Sequence, residues 1–374
     1  MTEDKSTRYH RLRRRADLGG TLTAGLILLL LAVTGVAVRL REGLQAAAGA
    51  LLPAGFDEPA TVILLTVVVV VLLQLIELPF AWYQGFVLEH RYGLSKQGAP
   101  HWLLDYAKAF GIAAVLAACG ASVVYATLRA WPGYWWLVSA LVFAAAILGL
   151  ARVAPVLLLP LFYRVRPLER PPLVERLMRL AARAEAEVVG VFEWVLSDHT
   201  RKANAALAGL GQTRRILLSD TLLADYSDDE IEVVLAHELA HHVHNDMWRG
   251  LALQVAMVAG GFYLADLTLR VMAEGLGYRG LSDPASLPLL MLVGGAWSFL
   301  MMPLANAVSR AQERAADRYA LETTRNPDAF VSAMKRLSQQ NLAEDEPSPL
   351  VRVLFYSHPP IRERIEAARA FTRT

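Results

Sequence analysis

One short motif in the sequence has the residue types of a metal site: His237-Glu238-Leu-Ala-His241. Histidines four positions apart lie on the same side of a helix, so both imidazoles can bind one tetrahedral Zn²⁺ ion. Glu238 lies beside them, where its carboxylate can reach a water molecule at the metal. Zinc lowers the pKa of such a water, and the glutamate can take its proton as the water attacks a peptide carbonyl. The motif therefore predicts a zinc metalloendopeptidase with one catalytic zinc ion.

The third metal ligand must come from elsewhere in the chain. A catalytic zinc usually has three protein ligands and one open position, and the extended HExxHxxGxxH pattern does not follow His241. Glu313 and Asp317 are four residues apart and share a helical face, so one can bind the metal while the other hydrogen-bonds to a ligand histidine. The spacing leaves an alternative open, in which the neighbouring arginines pair with both carboxylates on a solvated face.

Two more histidines follow the motif, and their positions suggest different environments. His242 points about 100° away from His241 on a helix, which is typical of a surface residue. His244 lies about one turn from His241 and could hydrogen-bond at the edge of the site. The spacing alone does not assign either residue a role.

The composition is that of a membrane protein. The 374 residues are 55% hydrophobic and only 19% charged, whereas about a quarter of the residues are charged in soluble domains. A net charge of +2 gives no indication of a nucleic-acid partner. The single cysteine, Cys119, excludes an intrachain disulfide and a cysteine-rich zinc site. We therefore expect the lipid bilayer, and not nucleic acid, as a partner.

The apolar stretches predict six transmembrane helices, because about 20 apolar residues cross the hydrocarbon layer. Lysines and arginines collect in the N-terminal tail and in the loop after the second stretch, which places both termini in the cytoplasm. The apolar N-terminal stretch has no convincing cleavage site, so we expect a retained anchor. Short loops and one cysteine fit a bacterial inner membrane. The stretches are roughly 18–38, 60–82, 109–128, 134–158, 249–270 and 284–308.

The predicted fold is mainly α, a polytopic membrane protein with a cytoplasmic zincin-like catalytic domain made of helices and a small sheet. The catalytic domain is assembled from two polar segments that the last two spans separate. The predicted divisions are a membrane region with four spans, 1–163; a catalytic part with the HExxH motif, 164–248; two further spans, 249–308; and a C-terminal catalytic part, 309–374.

Within the first polar segment, local patterns predict how the motif is held. Ser227 and Glu230 form a capping box that should start a helix reaching about Asn245, with the motif in mid-helix. An amphipathic helix is expected near 173–186. Short apolar runs predict strands at 188–196, 203–208 and 214–219.

Two acidic residues lie near the ends of predicted spans, Glu77 in the second and Asp266 in the fifth. A charge within a span is a functional hypothesis by default. Because both residues lie near an interface, we expect snorkelling or a local partner instead.

Together with the metal motif and the Glu313 to Asp317 segment, several further sequence blocks resemble those of the integral-membrane gluzincin peptidases. These include the type-1 CAAX prenyl proteases and the HtpX-type membrane proteases. The block beginning Leu78-Pro-Phe favours the CAAX prenyl protease branch. The resemblance covers most of the chain from about residue 74. Its blocks are Leu78 to Leu94, Lys202-Ala-Asn204-Ala, Arg215 to Leu223, His237 to His241, Glu313 to Asp317, and His358 to Arg364.

The resemblance implies a role for each matching residue at the metal. His237, His241 and Glu313 would be the zinc ligands, Glu238 the general base, and Asp317 a carboxylate that hydrogen-bonds to a ligand.

It also implies three residues that act on the substrate. Asn204 would lie on an edge strand beside the cleft, where a substrate peptide can complete the strand's hydrogen bonds. His358 and Arg364 would hold the substrate or stabilise the oxyanion.

The implied function is hydrolysis of membrane-associated or lipid-modified polypeptides. The alternative is broad quality-control proteolysis of misfolded membrane proteins, as in the HtpX branch, and a remote alternative is a non-catalytic scaffold or transporter. The chain departs from the eukaryotic enzymes in having His-His-Val-His-Asn after the motif and six predicted spans instead of seven.

Overall fold

The computed structural model describes residues 4–209 and 211–371, which are mostly helical with one four-stranded sheet. Among these described residues, six helices are long and apolar enough to cross a membrane, which confirms the number expected from the sequence. These helices comprise residues Lys5–Val33, Asp57–Arg91, Ala99–Ala130, Trp135–Ala154, Asp246–Met272 and Pro284–Thr324.

The elements are numbered in chain order. The helices of the first half are α1 (Lys5–Val33), α2 (Val36–Leu51), α3 (Asp57–Trp82), α4 (Glu89–Arg91), α5 (Ala99–Ala130), α6 (Trp135–Leu157) and α7 (Leu159–Phe162). The helices of the second half are α8 (Pro171–Arg183), α9 (Asp220–Asp225), α10 (Asp228–Val243), α11 (Asp246–Met272), α12 (Leu287–Thr324), α13 (Pro327–Asn341), α14 (Pro349–Phe355) and α15 (Ile361–Phe371). The strands are β1 (Val165–Pro167), β2 (Val191–Trp194), β3 (Ala205–Ala208) and β4 (Arg215–Ser219), and a π-helical segment, Tyr83–Leu88, joins α3 to α4.

The first predicted span is wrong at its C-terminal end. Helix α1 ends at Val33, and Gly35 adopts a left-handed conformation with φ of +72°. Helix α2 begins inside the first predicted stretch and continues into the region between the first two stretches, where no helix was predicted. The apolar composition runs through this break without interruption, and Gly35 is the one local signal, since glycine adopts positive φ without steric cost.

The spanning helices pack around a shared apolar core. Helix α3 packs against α2 and α5, α6 packs against α5 and α11, and α11 packs against α12. Within this core the indole of Trp135 donates to Asp266 over 2.6 Å, and Arg270 donates to the same carboxylate over 2.8 Å. The expectation of a local partner for Asp266 is confirmed. Glu77 packs against Gly20 of α1, where the missing Cβ leaves room for the carboxylate.

The small sheet has the strand order β1-β2-β4-β3. Strands β2 and β4 are parallel, and the two outer pairs are antiparallel. Three strands fall inside the predicted runs, whereas β1 was not predicted because its three residues end in a proline that marked a boundary. Strand β3 stands at the end of the order and lies against α10, so the edge of the sheet faces the helix that carries the motif.

One hydrophobic core joins the two polar segments into a single catalytic half. The amphipathic helix α8 buries Leu173, Leu177 and Leu180, whose spacing puts them on one helical face. These side chains pack in a cluster with residues of β4, α10 and α13, among them Ile216, Leu218, Ile231, Leu235, Leu239 and Phe330.

Helix α10 starts where the sequence predicts and ends earlier. The capping box between Ser227 and Glu230 is present in both directions. The helix stops at Val243, and Asn245 follows with φ of +56°. Asparagine tolerates this left-handed conformation just beyond a helix end. The motif therefore lies in the last two turns of the helix, and the expectation of a mid-helix position is wrong.

Helix α12 connects the membrane region to the catalytic half. It runs for 38 residues without a break and packs along α10 in its final turns. At the same end of the molecule, the first turns of α1 contact both polar segments, through Lys202 and Leu342. The N-terminus and both polar segments thus lie at one end of the bundle, as the charge distribution predicts.

Candidate metal centre

The structure brings His237, His241 and Glu313 together, with one potential ligand atom from each lying within 4.8 Å of the others. The Nε2 atom of His237 lies 3.2 Å from Oε2 of Glu313, and Nε2 of His241 lies 3.5 Å from Oε1. Helix α10 supplies both imidazoles and α12 supplies the carboxylate. Because these helices pack along each other, residues far apart in the sequence form one cluster.

The chemistry of this cluster fits a metal ion. Glu313 is 5% exposed, and its Oε2 atom is buried without a hydrogen bond of acceptable geometry. A buried carboxylate oxygen without a hydrogen bond is costly. A cation held by the two imidazole nitrogens and this carboxylate oxygen would give the oxygen the partner that it lacks.

A second carboxylate orients each ligand histidine. The Nδ1 atom of His237 lies 2.9 Å from Oδ1 of Asp317, and Nδ1 of His241 lies 3.0 Å from Oδ2 of Asp246. With Nδ1 donating to a carboxylate, Nε2 carries the free lone pair and faces the cluster. Both rings are therefore held ready to bind through Nε2.

The sequence analysis missed Asp246. It is the first residue of α11 and is 6% exposed, although it follows the motif closely in the sequence. The left-handed turn at Asn245 reverses the chain and brings this carboxylate back to His241. The available signal was an acidic residue at a helix start directly after the motif.

Arg364 lies behind Asp317 and forms an ion pair with it. Its guanidinium donates to both oxygens of the carboxylate, over 2.8 and 2.5 Å, and the residue is 9% exposed. Such paired hydrogen bonds fix the carboxylate in orientation. Two of its donors face Asp317, and the residue also lines a cavity together with His358, so its contact with the substrate or the oxyanion stays a prediction.

His358 lies at the open side of the cluster. Its Nδ1 atom is 2.9 Å from Oε2 of Glu313, and its side chain is 60% exposed. An exposed imidazole beside a buried ligand can donate to a group that enters from solvent. The structure therefore leaves the imidazole of His358 accessible to a substrate.

Glu238 is next to the cluster and largely withdrawn from solvent. Burial raises the pKa of this carboxyl group, and the nearby Glu313 adds to the effect, while His237 and His241 oppose it. A raised pKa brings a carboxylate closer to the proton affinity that a general base needs near neutral pH.

Burial alone would lower the pKa of His237, but the carboxylates of Asp317 and Glu313 outweigh it and raise the pKa to about 9. The cluster without metal thus attracts positive charge. A metal ion must displace a proton there, as expected of a site that binds cations.

Asn204 lies immediately before the edge strand β3. Its backbone continues the pairing with β4. The backbone amide of Asn204 donates to Oγ of Ser219, and its backbone carbonyl accepts from the backbone amide of Ser219, each over 2.9 Å. The side chain of Asn204 is exposed. The residue thus lies at the start of the strand that flanks α10, close to the expected position.

The other two histidines lie outside the cluster. His242 is 3.5 Å from the carbonyl of Glu185, and the ring of His244 packs edge-on against Tyr319. In the part of the chain that the structure describes, the group able to hold a metal is made of His237, His241 and Glu313.

Comparisons with known families agree with this geometry. A family described as peptidase family M48 matches residues 167–372. A second family, described as the CAAX prenyl protease N-terminal region with five membrane helices, matches residues 2–164.

Related proteins match over most of the chain. The uncharacterized metalloprotease YhfN of Bacillus subtilis is 32% identical over 342 residues, which are 90% of this chain and 78% of the relative. A CAAX prenyl protease 1 homolog of Arabidopsis thaliana is 28% identical over 305 residues, or 79% of this chain and 70% of the relative. The crystal structure of S. mikatae Ste24p superposes with a TM-score of 0.84 at 22% identity, covering 97% of this chain and 88% of that one. This last match supports the polytopic fold.

Proposed function

The chain belongs to peptidase family M48, and we propose that it is a zinc endopeptidase whose single ion is held by His237, His241 and Glu313. The observation that carries this proposal is the convergence of their three ligand atoms within 4.8 Å. As a member of this family the protein is a membrane metallopeptidase that acts on polypeptides. The identity of the metal, the residue roles and the substrate class are the proposed parts.

Zinc is the metal that this ligand set favours. Two imidazoles and one carboxylate are typical of catalytic zinc, which keeps one position open for water or substrate. Magnesium and calcium prefer sites made of oxygen ligands alone. A zinc ion at this position supplies a Lewis acid that activates water and polarises a carbonyl group.

Glu238 moves the proton. Its carboxylate takes a proton from the attacking water and delivers it to the nitrogen of the leaving amine. Burial of the side chain, with its raised pKa, supports both parts of this role.

The cleft walls bind the substrate. The peptide adds as an extended strand beside β3, with Asn204 at the start of that strand, because an edge strand offers unpaired backbone groups. His358 donates to the oxygen that gains negative charge as the peptide bond is attacked. Asp317 and Asp246 position the ligand histidines, and Arg364 holds the carboxylate of Asp317.

The substrates that we propose are membrane-associated or lipid-modified polypeptides. The N-terminal family and the Arabidopsis relative are named for CAAX prenyl proteases, which favours terminal processing over the alternative of broad quality-control proteolysis. The basic N-terminal tail and the catalytic half share one end of the bundle, which supports a cytoplasmic active site in a bacterial inner membrane.

Two variants test the proposal together. We expect Glu238→Gln to abolish hydrolysis while one zinc per chain is retained, because the amide cannot accept the proton but is not a ligand. Glu313→Ala should lose the zinc, because only two of the three proposed ligands, the imidazoles, remain. Metal content by elemental analysis and cleavage of a peptide give both results, with Glu322→Gln, an exposed position on the same helix, as the matched control. Full activity of Glu238→Gln, or unchanged zinc in Glu313→Ala, would refute the assignments.

The substrate class is tested with a farnesylated peptide and its unmodified copy, followed by mapping of the cut sites. Cuts confined to one position near the C-terminus, and faster for the farnesylated peptide, support processing of lipid-modified chains. Cuts scattered through unfolded membrane proteins would support quality control instead.

A further inference from the structure

The segment that carries His358 is held by a partly buried polar network that reaches it from the first spanning helix. Glu344 is 5% exposed and lies in the loop between α13 and α14. Its Oε2 atom accepts a hydrogen bond from Nη1 of Arg14 over 2.7 Å and another from the hydroxyl of Tyr356. Nη1 of Arg14 also lies 3.2 Å from that hydroxyl. The three side chains thus form a closed triangle of hydrogen bonds.

The phenol in this network is a donor. Burial raises the pKa of Tyr356, and the neighbouring Glu344 carboxylate raises it further, so the hydroxyl keeps its proton. A hydrogen bond to a buried carboxylate is stronger than one between neutral groups. The network therefore fixes both Glu344 and Tyr356 relative to α1.

The backbone around Tyr356 is fixed from the opposite side by α12. Nη1 of Arg310, which is 9% exposed, donates to the carbonyls of Arg352 and Tyr356 over 3.0 and 2.5 Å. The amide of Asn306 donates to the carbonyl of Leu354 over 2.7 Å. Helix α14 and the residue that follows it are thus clamped between two spanning helices.

A second contact holds the beginning of the same segment. The ring of His10 lies 2.8 Å from the carbonyl of Leu342, which adopts a positive φ of 51°. His10 and Arg14 are one turn apart on α1, so one face of this helix holds the segment at 342, 344 and 356. His358 follows two residues after the last of these points.

We propose that Arg14, Glu344 and Tyr356 are positioning residues that set the place of the His358 imidazole beside Glu313. This inference rests on the proposed function of His358. The network makes no contact with His237, His241 or Glu313, so it acts on His358 through the backbone from 356 to 358. Without it, the exposed side chain of His358 would keep its chemistry but would spend less time within reach of the substrate carbonyl.

The first measurement needs no catalysis. Hydrogen exchange is followed by mass spectrometry on the full-length, metal-loaded protein in detergent micelles. Tyr356→Phe and Glu344→Gln should increase exchange in the segment 342–358 and leave α10 unchanged, because they remove hydrogen bonds in one place. The matched controls are Tyr134→Phe, at a site that is 69% exposed, and Glu346→Gln, in the same loop but 62% exposed. Unchanged exchange in 342–358 would overturn the proposal, even if the protein cleaved no peptide.

The second measurement is a double-mutant cycle on peptide cleavage. Tyr356→Phe should lower kcat about tenfold with little change in KM and no loss of zinc. In a His358→Ala background the same change should lower kcat less than about twofold, since the residue that it positions is gone. Equal effects in both backgrounds would overturn the proposal, and so would a His358→Ala variant as active as the natural protein. Complete inactivity of the natural protein would instead refute the proposed function, and the exchange data would still decide the network.

Discussion

At the scale of single residues, the centre consists of pairs in which a carboxylate stands behind each imidazole. Asp317 holds His237 and Asp246 holds His241, both through Nδ1. The two carboxylates come from different helices, α12 and α11. Both imidazoles are thus held in place by carboxylates that lie outside the proposed ligand set.

Replacing Asp246 by asparagine should weaken zinc binding. The amide keeps the size of the side chain but can no longer attract the Nδ1 proton of His241 as a carboxylate does. We expect an affinity loss of about 10- to 100-fold, measured by competition with a chromogenic chelator. The control is Asp229→Asn. Asp229 lies on the helix of the motif and loses only an exposed ion pair with Arg176 of α8. Equal affinities of Asp246→Asn and the control would show that Asp246 does not orient the ligand.

The sequence predicts the residues at the centre unevenly. His237, Glu238 and His241 follow from spacing alone, because one helix turn determines their relative positions. Glu313 needed the family resemblance, since spacing left a solvated ion pair open. Asp246 was out of reach because its contact depends on the left-handed turn at Asn245.

At the scale of elements, α10 shows how a local signal positions a distant chemical group. The Ser227 amide donates to Oε2 of Glu230 over 2.8 Å, and the Glu230 amide donates to the Ser227 hydroxyl. Glu230 also accepts from Ser332 and Arg336 of α13. The start of the motif helix is therefore tied to the C-terminal polar segment.

Ser227→Ala should destabilise the catalytic half without releasing the metal. The lost cap costs about 1 kcal/mol, which should lower the Tm of thermal unfolding in detergent, while the motif at the other end of the helix keeps its ligands. Ser348→Ala is the matched control, because Ser348 is also an N-cap but makes no side-chain cap hydrogen bond. A Tm as high as that of the control would contradict the assigned cap.

Helix existence was predictable from the sequence, whereas breaks and short strands were not. Six apolar stretches gave six spans because length and hydropathy suffice for a membrane helix. Helix α2 was missed because its residues, with Arg39 and Arg41, look like a polar loop. Strand β1 was missed because three residues carry no period, and its pairing with β2 is a tertiary contact.

At the scale of the whole molecule, α1 and α12 bind the catalytic half to the membrane region. This arrangement puts the N-terminal turns of α1 and both polar segments on one side. The position of the catalytic half relative to the bilayer therefore follows from the orientation of a few helices.

Cysteine labelling in bacterial cells should verify the orientation. In a Cys119→Ala background, a membrane-impermeant maleimide should label Tyr134→Cys in intact cells. Arg15→Cys and Lys335→Cys, both at exposed positions, should react only after the membrane is permeabilised. Labelling of Lys335→Cys in intact cells would place the catalytic half outside.

The 38-residue helix α12 has a consequence for how this enzyme can be divided. The carboxylate of Glu313 is carried on the same continuous helix as the exposed apolar side chains of Leu300 and Leu304. A soluble fragment with the histidine pair would lack its third ligand, and one extended to include it would carry exposed hydrocarbon into water. The apolar surface of α12 and the carboxylate that completes the cluster with the two histidines therefore belong to one continuous helix.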